Sequence, residues 1–155
     1  MRLWDSMALI RFLRLNKMEC PFCFVIKEIS EPIYEGKEVY VMLSNPRVVP
    51  GHTLIIPRRH IEKPAELTSS ERKELFDTVI LFQEKIISKI SSGCDVRENY
   101  RPFVPQSRLK IDHIHFHLIP RELNDDLYKS HYEFQIDFFH DLEDTEKESI
   151  SKLLS

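Results

Sequence analysis

Three histidines alternate along one short segment, His113-Ile114-His115-Phe116-His117. In an extended strand successive side chains point to opposite faces. The three imidazoles would then share one face, while Ile114, Phe116 and Leu118 share the other and enter a core. Packing alone explains such a row poorly, because each buried imidazole needs hydrogen-bond partners. At roughly 3.3 Å per residue, the Cα atoms of His113 and His117 lie about 13 Å apart. One metal held by all three is therefore awkward, since zinc–nitrogen bonds are about 2.0–2.1 Å. The row suits an extended ligand such as a phosphate chain, or a division of labour between the histidines. Neutral imidazole is a good nucleophile near pH 7, with a reference pKa of about 6.5. A backbone carbonyl that accepts the proton of one ring nitrogen leaves the other free to attack. Neighbouring donors would then stabilise charge on phosphate oxygens, the dominant task in phosphoryl transfer.

A second constellation is Cys20-Pro21-Phe22-Cys23. Its spacing is that of half a tetrahedral zinc site. A redox pair is the competing reading, but that normally accompanies a βαβ context, which the sequence lacks. Cys94 reads as a neutral thiol with no assigned role. Three cysteines in 155 residues do not make a secreted disulfide scaffold.

The elements that must position these residues are legible in part. Residues 37–44 and 52–57 read as strands, with turns at Asn45-Pro46 and Pro50-Gly51 between them. Thr68-Ser69-Ser70-Glu71 is a capping box that opens a helix running to about Ile90 and stopping near Gly93. Leu75, Phe76, Val79, Ile80, Ile86, Ile87 and Ile90 broadly follow helical spacing. A polar, proline-bearing segment occupies 98–107. A strand over 111–119 carries the histidines and is ended by Pro120. Residues 133–139 suggest a further short strand, and 145–148 a second capping box opening a C-terminal helix. Strands, a long helix and more strands predict an α+β domain on an antiparallel sheet.

Composition narrows the class. The hydrophobic fraction of 42% and charged fraction of 30% are ordinary for a soluble globular protein. A net charge of −3 gives no electrostatic reason to expect nucleic acid or a membrane surface as partner. No run is long enough to span a bilayer. Arginines interrupt the apolar stretch over residues 1–17, which argues against a secretory signal. That stretch reads as an N-terminal extension to a domain over 18–155, and the expected location is cytoplasmic.

The segment HIHFHLIPR, preceded by PGHTLIIPRRH and by CPFC, resembles the histidine triad (HIT) family. The resemblance runs from about Met18 to Arg121, and the triad with its PGH-T-L-x-I-P partner is highly specific. It implies a HIT-like fold and a homodimer. It implies attack by His115 on the α-phosphate of a nucleotide, through a nucleotidyl-histidine intermediate. His117 and His52 would bind or polarise the phosphate. It also implies that His60 and His113 complete a structural Cys₂His₂ zinc site with Cys20 and Cys23. By the same analogy Phe22 and Val25 line the base pocket, and Ser44 and Asn45 are the ribose candidates.

One departure stands out. HIT hydrolases commonly carry a glycine-rich stretch ending in G-Q-S/T just before the triad. Here Leu109 and Lys110 occupy those positions, and Gln106-Ser107 lies further upstream. Phosphate contacts would come from Gln106 and Ser107 if the loop bulges, or else from Lys110, or from Arg101 and Arg108. The leading function is a hydrolase of a dinucleoside polyphosphate or a nucleoside phosphoramidate. A nucleotidyl transferase or phosphorylase using the same intermediate is the first alternative. A nucleotide-binding protein of low turnover is the second.

Overall fold

The computed structural model describes residues 20–23, 32–107, 109–123, 125–127, 129 and 142–155. They fall into two units, one ending at Arg121 and one beginning at Glu122. The first holds a five-stranded sheet of β1 (Tyr34–Glu35), β2 (Val39–Leu43), β3 (Thr53–Pro57), β4 (Gly93–Arg97) and β5 (Phe116–Arg121). Its spatial order is β1-β2-β3-β5-β4, and every pairing is antiparallel. One long helix, α1 (Ser69–Lys89), packs against it. The α+β class with an antiparallel sheet and a long helix is therefore as the sequence implies.

Strand parity sorts the side chains into two layers. Val39, Val41, Ile55 and Leu118 face the helix and pack with Leu75, Val79, Phe82 and Ile86 of α1, joined by Ile114. Tyr40, Met42, Leu54 and Ile56 face the other way and gather with Phe22 into a second apolar cluster. Coverage of both faces explains why β2 and β3 read as branched apolar runs rather than as alternation.

The expected capping box at the start of α1 is present. Thr68 Oγ1 accepts from the Glu71 N–H at 3.2 Å, and Thr68 N–H donates to the Glu71 carboxylate at 2.8 Å. Such a cap contributes about 1 kcal/mol. Arg59 forks onto the same carboxylate, with both bonds at 2.8 Å. That guanidinium, aided by the Thr68 donors, holds the buried Glu71 carboxyl down at about 2. The helical spacing divides in two, however. Leu75, Val79 and Ile86 are buried, whereas Phe76, Ile80, Ile87 and Ile90 are about half exposed.

Three sequence expectations need correction. The histidine strand begins at Phe116, not at 111, and runs through Pro120 to Arg121. The β3–β5 ladder covers Thr53–Ile55 against Phe116–Leu118. Beyond it comes Pro57, which has no N–H to donate; the Pro57 carbonyl takes a ring proton from His113 instead, and Ile114 N–H bonds Ile61 O. Pro120 is tolerated because β3 pairing ends at Leu118, so β5 has a strand partner on one side only there. The second correction is β4, which falls where the sequence suggested a helix end. Gly93-Cys94-Asp95-Val96-Arg97 carries two charges and one branched residue, a weak strand signal but a common edge composition.

The third correction lies in the second unit. Its helix α2 (Asp144–Leu154) begins before Thr145 and has Glu143 as N-cap, with no side-chain cap bond. The expected box over 145–148 is thus absent, and Asp144 and Glu146 favour the helix start electrostatically instead. The extension over 1–17 and the strand expected at 133–139 lie outside the described residues.

Candidate functional site

The histidines stand where β5 leaves β3, and the backbone assigns their protons. Nδ1 of His115 lies 2.7 Å from the His113 carbonyl. A carbonyl only accepts, so Nδ1 carries the proton and Nε2 keeps its lone pair. Nε2 of His113 lies 2.9 Å from the Pro57 carbonyl, so there the order is reversed and Nδ1 is the free base. His52 Nδ1 accepts from the Val48 N–H at 3.2 Å. Neutral His52 must then carry its proton on Nε2, which donates to His117 Nδ1 at 3.0 Å. His117 in turn is left with an Nε2–H donor. Three different tautomers thus follow from the hydrogen bonds: a free Nδ1 lone pair at His113, a free Nε2 lone pair at His115 and an Nε2–H donor at His117.

The electrostatics agree with neutral rings. Burial lowers the pKa of His115 and of His52. It carries His117 down to about 3, assisted by the neighbouring His115, His52 and Arg97. The rings of His115 and His117 lie 4.7 Å apart edge to face, so they act on one small volume.

His52 owes its place to the turn before β3. Gly51 has φ of 80°, and a Cβ there would sit 3.1 Å from Pro120 and 3.2 Å from Ile90. Only glycine meets both demands. The Thr53 hydroxyl closes the turn by donating to Gly51 O at 2.9 Å.

Three more donors converge with the other nitrogen of His113. Its Nδ1 lies 3.3 Å from Cys20 Sγ and 3.6 Å from Cys23 Sγ, and His60 Nδ1 lies 3.4 Å from Cys23 Sγ. All four ligand atoms fall within 4.8 Å of one another. Those separations suit a tetrahedral ion with bonds of about 2.0–2.3 Å. The set also fits chemically: two sulfurs and two imidazoles, with the free base of His113 directed inward and its other nitrogen held by Pro57 O. Burial pushes the Cys20 thiol up to about 12, so without a cation it stays protonated. Tyr40 anchors the knuckle by donating its hydroxyl to Phe22 O at 2.8 Å.

The remaining candidates divide. Phe22 is buried with its ring 5.0 Å from that of His115 and 5.8 Å from that of His113. Ser44 follows β2, and its hydroxyl donates to Pro46 O; Asn45 is exposed in the same turn. Ser107 is engaged in its own loop, with its N–H on Lys110 O and its hydroxyl accepting from Leu109 N–H. Lys110 pairs with Asp112 in a cavity that Glu62, Glu98 and His115 also line. Gln106 is exposed, and among the described residues no hydrogen bond joins it, Ser107 or Lys110 to the triad. Val25 and Arg108 lie outside the described residues.

Sequence reasoning missed one residue. Arg97 is the direct register partner of His117 on β4. Its guanidinium bonds Asp95 at 2.7 Å, and Arg121 reaches the same carboxylate oxygen at 2.5 Å. The sequence signal was the alternation Asp95-Val96-Arg97 beside a histidine strand, readable only once β4 is known to be a strand.

Comparison with known proteins agrees with this geometry. A Bacillus subtilis protein named "Protein hit" is 34% identical over 105 residues, covering 66% of this chain and 70% of its own length. The Schizosaccharomyces pombe bis(5'-nucleosyl)-tetraphosphatase is 29% identical over 62% of this chain, a match that spans only 52% of that enzyme. The adenosine 5'-monophosphoramidase hnt1 of the same yeast is 29% identical, with 67% of this chain and 75% of the enzyme covered. Among solved structures, a HIT-family member from Bacillus subtilis superposes with a TM-score of 0.67 at 28% identity, over 88% of this chain and 94% of that one. A zinc-bound histidine triad protein from Mycobacterium smegmatis shares the fold, with a TM-score of 0.61 at 22% identity over 72% of this chain and 81% of that one. Residues 27–124 match the HIT domain itself, and the chain belongs to the HIT family.

Proposed function

We propose that this protein is a nucleotide hydrolase that works through a nucleotidyl-His115 intermediate. The observation that carries the reading is the His115 Nδ1–H bond to the His113 carbonyl, which leaves Nε2 unprotonated on a ring beside that of His117. Two relatives bear names of hydrolases that act on nucleotides, which supports the class.

In the first step the Nε2 lone pair forms a bond to the α-phosphorus, and the bond from phosphorus to the leaving group breaks. His115 becomes a cationic phosphoimidazole, and its Nδ1–H stays on the His113 carbonyl. His117 Nε2–H, set by His52, donates to a phosphate oxygen or to the leaving atom. In the second step water attacks phosphorus, the P–N bond breaks, and the water proton passes to His117 where that ring gave its own to the leaving atom, and otherwise to bulk solvent. A nucleoside monophosphate leaves, and His115 returns neutral. Phe22, and by analogy Val25, would border the base, with Ser44 and Asn45 near the ribose. Gln106, Ser107 and Lys110 are assigned to the loop that borders the phosphates; Ser107 and Lys110 must exchange their present loop partners to reach them.

Cys20, Cys23, His60 and His113 would hold a structural zinc ion, one per chain. Four protein ligands would leave no open coordination position, so the ion would supply stability to the knuckle. We further infer a homodimer built on the outer stripe of α1, where Phe76, Ile80, Ile87 and Ile90 stand half exposed beside edge strand β4. Three unpaired cysteines accord with a reducing, cytoplasmic setting.

The deciding experiment compares wild type with His115→Ala on dinucleoside polyphosphates and nucleoside phosphoramidates. We expect kcat to fall by about three orders of magnitude or more, while Kd for the nucleotide changes only a few-fold. Near wild-type turnover, or a covalent adduct trapped on another residue, overturns the assignment. Adding inorganic phosphate separates hydrolysis from phosphorolysis by the product formed.

A further inference from the structure

We infer that Arg97 selects for substrates whose leaving group is a phosphate chain, over those whose leaving group is an amine. This rests on the nucleotidyl-His115 reading and names the substrate class for it.

The placement is the first argument. His117 is flanked across the sheet by His52 on the β3 side and by Arg97 on the β4 side. Directly opposed residues of an antiparallel pair lie about 4.5–5.5 Å apart at Cα. Asp95, two residues back on β4, shares the face of Arg97 and grips its guanidinium. Arg121 fixes that carboxylate from β5 and is itself largely buried, with its side chain 15% exposed. Arg97 is the more open of the two, at 40%. A pre-oriented, accessible guanidinium therefore stands beside the phosphate donor His117, on the layer that carries the triad. Its field is felt at His117.

The chemistry is the second argument. When the leaving group is a nucleoside polyphosphate, P–O cleavage leaves a new negative charge on its terminal phosphate. A fixed cation with planar paired donors stabilises that charge as it forms. When the leaving group is an amine, P–N cleavage demands a proton on nitrogen. Arginine does not give up its proton at any working pH. His117 Nε2–H can meet that demand, and Arg97 cannot. Arg97 thus favours the first class far more than the second.

The test measures kcat/KM for wild type, Arg97→Gln and Arg97→Lys on diadenosine tetraphosphate and adenosine 5'-phosphoramidate, with the guanosine forms as a second pair. The readout is the ratio of the two kcat/KM values, which a general loosening of the fold would not move. We expect Arg97→Gln to lower the polyphosphate-to-phosphoramidate ratio about 10–100-fold, the range of a lost charge-assisted bond. Arg97→Lys should restore part of it. If wild type turns over both classes and the ratio stays within twofold in Arg97→Gln, the role of Arg97 is overturned and the His115 mechanism stands. If wild type turns over neither class, both fall together.

Discussion

His113 takes part in two separate structures through two separate groups. Its ring joins Cys20, Cys23 and His60, and its carbonyl receives the His115 proton. The two can be uncoupled by mutation. His113→Ala should abolish metal binding, read by metal analysis of protein purified without chelator, and lower Tm. Activity at a temperature where the variant is still folded should fall less than in His115→Ala, because the carbonyl survives. Equal losses in both variants would show that the ring itself enters the chemistry. A second residue-scale expectation concerns acid. His117 titrates at about 3 in the fold against about 6.5 unfolded, so the unfolded chain binds more protons between those values. Its contribution to stability is full above pH 6.5 and is lost as pH falls toward 3. Glu71, at about 2 in the fold against 4.5, acts in the same direction over a lower window. Urea unfolding from pH 7.5 to 4 should show falling stability, and His117→Asn should flatten the upper part of that slope. An unchanged slope would exclude His117 as its source.

At the scale of elements, the turn into β3 is the most sensitive. Gly51→Ala places a methyl against Pro120 and Ile90 at a positive φ, so it should cost about 1–3 kcal/mol. It should also slow turnover by shifting His52, and therefore the donor tautomer of His117. Denaturation midpoints together with kcat check both effects; an alanine variant as stable and active as wild type would deny the turn its role. The same elements show what was legible in the sequence. The Thr68 capping box, the branched runs of β2 and β3, and the alternation that puts Ile114 and Leu118 in the core all rest on local rules, and they appear as read. β4 was not legible, because an edge strand with a small interior load has little hydrophobic pattern to display. With β4 went Arg97, whose meaning depends on a partner twenty residues away. The early end expected for the histidine strand came from Pro120, whose missing N–H matters only where two neighbours compete for the backbone.

At the scale of the whole molecule, the outer stripe of α1 makes the strongest demand. Phe76, Ile80, Ile87 and Ile90 recur on one side of the helix at half exposure, and the helix packs against edge strand β4. Apolar area of this kind is worth about 25 cal/mol per Å² once covered. If two copies cover it, Ile80→Glu combined with Ile87→Glu should convert a dimer into a monomer by light scattering, with α1 intact by circular dichroism. A wild-type monomer at tens of micromolar would remove the dimer from the description.

The carbonyl that orients His115 belongs to the main chain, and any amino acid at position 113 would provide one. The tautomer of His115 is thus insulated from the identity of its neighbour's side chain. A descendant of this protein could trade away His113, Cys20, Cys23 and His60 for apolar packing around Phe22 and still present the same Nε2 lone pair at His115. The four-donor cluster and the tautomer of His115 are in this sense separately heritable, and drift in one leaves the other available to selection.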